Sequence, residues 1–173
     1  MMKGELSFVE YVISVGFFIS FVAYIFFLLL RYYPIYLQEM ESERKRLEAY
    51  QISELLINDP GEPANWDTLD SVKRLGFLDE NKNKTNLLSL AKVNKMRDLM
   101  SNDFCAPNYG YEWVKSKIDS EFDFSLTLVN LNTREILISC FPPKVVITPT
   151  NITVRRIVVF SSGGYGELII QVW

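Results

Sequence analysis

Tyr11–Leu30 reads YVISVGFFISFVAYIFFLLL, twenty residues without a charge, with Ser14, Gly16 and Ser20 as small interruptions. As a helix this run is about 30 Å long, the thickness of a bilayer's hydrocarbon core. Buried helices of soluble proteins rarely hold more than about 14 wholly apolar residues in succession. A cleavable secretory signal has a shorter apolar region and ends in a small-residue cleavage site, whereas this run ends in LLLRYYP. The stretch predicts a retained membrane helix. One carboxylate, Glu10, stands at its mouth. A charge in hydrocarbon is unfavourable by a few kcal/mol on insertion scales, so Glu10 needs a positive partner or the headgroup and water layer.

Beyond the apolar run the helical pattern continues as YLQEMESERKRLEAYQISELLIND. Leu37, Met40, Leu47 and Tyr50 form a stripe at helical spacing, widened by Ile52, Leu55 and Leu56. Glu41 and Lys45 form an i, i+4 pair of opposite charge. Pro34 is expected to kink this helix near the membrane surface, and Asn58-Asp59-Pro60-Gly61 to stop it. The charged stretch reads as a solvated helix face or as a stalk packing against sister helices.

The remainder, 59–173, changes character. Ser89 is placed to cap a helix through about Met100, and Tyr111 to Ile118 reads as a second short helix. FDFSLTLV alternates, with Phe122, Phe124, Leu126 and Leu128 on one side. REILISCF, TVRRIVVF and ELIIQVW are three further strand candidates, the last two joined by the hairpin loop Ser161-Ser162-Gly163-Gly164-Tyr165-Gly166. The expected fold class is α+β. A long N-terminal helix, transmembrane then stalk, precedes a small domain with short helices on a roughly four-stranded antiparallel sheet.

The composition excludes several functions. A net charge of −3 offers no strongly basic face for nucleic acid. The chain has no histidine, and so lacks the commonest general base and metal ligand. Asp79, Asn81 and Asn83 begin like a calcium loop, but Lys84 replaces the required glycine and Leu90 the closing glutamate. The glycines of SSGGYGEL precede a strand rather than a helix, which disfavours a phosphate cradle. Asp119, Glu121 and Asp123 alternate as a carboxylate group that reads most simply as solvent-facing. Cys105 and Cys140 allow one disulfide if the domain is exported, and would be ordinary thiols in a reducing compartment. Two N-x-[ST] sequons stand at Asn83 and Asn151. No catalytic constellation, metal site or cofactor site is expected.

Lys3-Gly4-Glu5-Leu6-Ser7 and Glu10, followed at once by the twenty-residue apolar helix, resemble the N-terminus of archaeal type IV pilin-like proteins with a class III signal peptide. Stretches such as AYQISELLINDPGEPANWD and RRIVVF…GYGELIIQVW are similar to ectodomains of uncharacterised archaeal proteins of this kind. The resemblance implies a leader over 1–4, cut between Gly4 and Glu5 by a membrane prepilin peptidase. It implies a transmembrane helix over 5–31, a stalk over 32–58 and an extracellular domain over 59–173. The freed amine of Glu5 would then pair with Glu10, its own or a neighbour's, during self-assembly. Glu5 stands where the family commonly has Gln, and Glu10 lies six residues into the mature chain where five is usual. The implied function is a non-catalytic subunit or accessory pilin in surface filament assembly or adhesion. A monomeric, membrane-tethered extracellular binding domain is the alternative. A third arrangement, with the domain in the cytoplasm, follows from the positive-inside count, since Arg31, Arg44, Lys45 and Arg46 follow the apolar run and only Lys3 precedes it.

Overall fold

The computed structural model describes residues 3–69, 71–80, 84–99, 105, 110–143 and 151–173, with side chains from Phe8 onward. Helix α1 covers Lys3–Asn58 and passes through Pro34 without a break in its assignment. The chain divides into two units between Glu41 and Ser42. The last turns of α1 therefore belong to the folded domain, which begins within the stretch read as stalk and not at residue 59.

In the first unit the helix is apolar and uncovered. Nearly all its large side chains are exposed, Phe17 most of all at 74%.

In the second unit α1 is followed by a 3-10 turn, Trp66–Thr68, then strand β1 (Leu87–Leu88) and helices α2 (Leu90–Leu99) and α3 (Gly110–Ile118). Strands β2 (Phe124–Asn130), β3 (Ile136–Cys140), β4 (Ile152–Phe160) and β5 (Tyr165–Val172) complete it. The sheet order is β1-β4-β5-β2-β3. The expected α+β class holds, and the four long strands pair antiparallel as the alternation indicates. The fifth strand, β1, was not expected. It pairs parallel with the end of β4, and two residues are too few to show a period.

The alternation decides which face is buried. Phe124, Leu126 and Leu128 of β2 stand opposite Val172, Ile170 and Leu168 of β5, and all six are buried. Val154, Val158 and Phe160 of β4 and Ile138 and Cys140 of β3 extend this face. Against it lie Ala49, Ile52, Leu56 and Ile57 of α1, Val93 and Met96 of α2, and Tyr111, Val114 and Ile118 of α3. The hairpin between β4 and β5 needs two residues at positive φ and has them in Gly163 (φ 95) and Gly164 (φ 97).

The segment after α1 folds back on the helix end. The Phe77 amide donates to the Leu56 carbonyl at 2.9 Å, and buried Trp66 donates through Nε1 to the Gly76 carbonyl at 2.9 Å. Here the backbone crosses itself so closely that a Cβ on Gly76 would collide with the Asp59 carbonyl. Only glycine fits.

Candidate functional site

The first candidate is the N-terminal helix. Gly4 and Glu5 lie in its first turn, and Glu10 is exposed. From Glu10 to Arg31 no charge intervenes, and the best window has a mean hydropathy of 2.6 with no part of it buried. The Ser20 hydroxyl satisfies itself by donating to the Gly16 carbonyl at 2.8 Å, which removes a polar cost inside the run. Tyr32, Tyr33 and Tyr36 follow Arg31 and are exposed, an arrangement suited to a membrane–water interface. This is one helix long and apolar enough to cross a membrane, near the start of the chain, and it is compatible with a membrane anchor.

The stripe that widens along the later part of α1 divides in two. Leu37, Met40, Leu47 and Tyr50 are exposed, whereas Ile52 and Leu56 are buried in the domain's own core. Tyr50 is met by the Arg156 guanidinium, 5.6 Å from the ring centroid. Arg156 also donates to Glu54. Sequence reasoning missed this link, because Arg156 belongs to a strand more than a hundred residues away.

The three alternating carboxylates do not converge. Asp119 ends α3 at φ 59, Glu121 accepts from Arg44 at 2.8 Å, and Asp123 accepts from Lys115 at 2.6 Å and from the Tyr111 hydroxyl at 3.0 Å. The Lys115 hydrogen bond, reinforced by Tyr111 and opposed by partial burial, holds the Asp123 carboxyl below the usual range. Tyr111 is itself pushed up, chiefly by burial, while the Phe124 amide donates to its oxygen. These groups fasten α3 to β2. Glu48 of α1 adds to the same corner, accepting from the Ser120 hydroxyl at 2.7 Å and the Glu121 amide at 2.8 Å.

Lys92 is a buried charge that sequence reasoning missed. Its ammonium donates to the carbonyls of Pro60 at 2.8 Å and Leu78 at 3.0 Å. Burial lowers its pKa, against the opposing pull of Glu80, Asp67, Asp79 and Asp59. It pins the segment after α1 to α2. Its spacing to Met96, i to i+4 on the apolar side of α2, was a signal available in the sequence.

Asp79 is buried, Lys84 is exposed and Leu90 opens α2, while Asn81 and Asn83 lie outside the described residues. Among the described residues no group of three or more His, Cys, Asp or Glu is placed to hold a metal ion. Cys105 and Cys140 are joined as a disulfide, with Cα atoms 4.6 Å apart. Asn151 is exposed just ahead of β4.

No family model matches the chain, and no solved structure matches it. An uncharacterized protein of Archaeoglobus fulgidus is 29% identical over 99 residues, an alignment that covers 51% of this chain and 52% of that protein. The match thus spans about half the length of this relative.

Proposed function

We propose that the chain is a membrane-anchored, pilin-like subunit or accessory pilin, non-catalytic, whose domain faces outward and which acts in filament assembly or adhesion. The observation that carries this reading is a twenty-residue apolar run, left wholly uncovered by its own chain, with one carboxylate at its N-terminal edge. Lipid or the helices of neighbouring copies must cover such a surface. A prepilin peptidase cutting after Gly4 would create an amine at Glu5 to neutralise Glu10, which answers the cost of placing that carboxylate there. The Cys105–Cys140 bond supports an oxidising compartment over the cytoplasmic arrangement.

A second reading, a monomeric tethered binding domain, draws on one feature. The domain completes its core with its own helix end and needs no neighbour to do so.

The N-terminal sequence of the native protein tests the proposal. Glu5 as first residue supports processing, and an intact Met1 or Met2 overturns it. Glu10→Gln is expected to leave membrane insertion intact and to abolish assembly. Unchanged filament yield would refute the pairing role of Glu10, and a native protein that is fully membrane-extracted as a monomer would favour the second reading.

A further inference from the structure

Strand β4 is nine residues long and lies near the flank of the sheet. The Phe160 amide donates to Gly164 on the β5 side, and the Val159 amide donates to Asn86 on the other. Odd-numbered residues of β4 therefore turn their backbone groups away from β5. On that far side β1 pairs only with Val159 and Phe160, because Asn86, at φ 59, turns the incoming chain off the strand direction. Thr153, Arg155 and Ile157 thus present N–H and C=O groups at an edge that no described residue pairs with.

An exposed edge of this length is a template for pairing with other chains, and folded proteins blunt such edges with proline, bulges or free charge. Between Ile152 and Phe160 there is no proline, and the register with β5 runs unbroken. Both arginines of the strand are engaged, Arg155 with Glu167 at 3.4 Å and Arg156 with Glu54. Beside this edge Ile157 is 60% exposed. At its entrance stands the sequon Asn151-Ile152-Thr153. Asn151 and Thr153 are both exposed, and neither side chain bonds to another described residue.

We propose that Asn151 carries an N-linked glycan and that this glycan covers the open edge of β4; the inference rests on the outward-facing reading above. The co-reactant is an oligosaccharide joined through phosphate to a polyprenyl lipid. The Nδ2 of Asn151 attacks the anomeric carbon, forming the N–C bond as the C–O bond to the lipid phosphate breaks. The lipid phosphate leaves as the anion, and the amide proton passes to a base of the transferase. The Thr153 hydroxyl completes the recognition element that makes Asn151 an acceptor.

The test uses the full chain isolated from membranes of an archaeal host that glycosylates its surface proteins. The mass of the peptide bearing Asn151 and the N-terminal sequence are read from the same sample. A glycan mass is expected on Asn151, lost entirely in Asn151→Gln and Thr153→Val and retained in Thr153→Ser. Asn151→Gln is expected to fold, as read by circular dichroism, and to show a several-fold larger aggregated fraction, which Ile157→Lys in the same background reverses. An unmodified Asn151 overturns the inference: with Glu5 as first residue the proposed function survives, and with an intact Met1 it falls as well. A glycan whose loss leaves aggregation unchanged overturns the shielding role.

Discussion

At the scale of single residues, charges do the joining that apolar contacts leave undone. Asp123 is the clearest case, since one of its oxygens accepts from both Lys115 and Tyr111. Its carboxyl titrates lower in the folded chain than in the unfolded one, so the unfolded state binds the extra proton as pH falls. The stabilisation is fully present above the ordinary carboxylate value of about 4 and is lost as pH drops through the lowered folded value. In urea unfolding of the detergent-solubilised chain between pH 6 and pH 3, Asp123→Asn should flatten the acid loss of stability relative to the parent. Equal slopes would deny Asp123 this part. Asp123 was visible in the sequence only as one of three alternating acids. What separates it from Asp119 and Glu121 is the approach of α3, which a local reading of IDSEFDF does not contain. Lys92 could be placed on the apolar side of α2 by its spacing to Met96, but its role as a clamp could not be read, since its partners are backbone carbonyls and carbonyls leave no mark in a sequence.

At the scale of elements, the sequence located both short helices and the four long strands; β4 and β5 alternate buried and open positions, whereas β3, buried along most of its length, was marked by its β-branched composition. Sequence reading was blind to β1, and it could not say which part of the stripe on α1 was spent inside the domain. The structure divides that stripe sharply, with Leu56 fully buried and Leu47 60% exposed. Leu56→Ala should therefore destabilise the domain by about 3 kcal/mol, in the range for a buried leucine truncated to alanine. Leu47→Ala should change stability by less than about 0.5 kcal/mol, as expected of an exposed site. Denaturant melts of the two variants check this, and comparable losses would mean that the helix end packs differently. Any assembly role left to the later part of α1 falls to the exposed residues Leu37, Met40, Leu47 and Tyr50, not to the whole stripe.

For the whole molecule, the boundary between units has a direct experimental form. A chain beginning at Ser42 retains Ala49, Ile52, Leu56 and Ile57 and should fold as a water-soluble domain with a cooperative thermal transition. One beginning at Asp59 loses all four core residues and should show no such transition by circular dichroism. Folding of the shorter chain would restore residue 59 as the domain's true start. The sequence placed that boundary late because EMESERKRLE is charged and its apolar neighbours sit at the spacing of a solvated stalk. Ile52 and Leu56 are buried only in the core that the rest of the domain builds, most of it from sequence far downstream. The membrane-length helix, by contrast, was plain from composition alone, since nothing distant is needed to recognise twenty apolar residues in a row.

The position of β5 has a consequence in time. It is the last strand in sequence, yet it lies inside the sheet, with β4 on one side and β2 on the other. Until Tyr165–Val172 has left the ribosome, β4 and β2 have no strand between them, and the core stays open along its length. The β4–β5 pairing is a local hairpin, whereas β2 must wait for a partner far downstream in the chain, and such non-local pairing is slow. The sheet of the nascent chain therefore cannot close before that strand has emerged. The strand order thus acts as a clock, placing the compact state of the domain after the emergence of the long apolar helix.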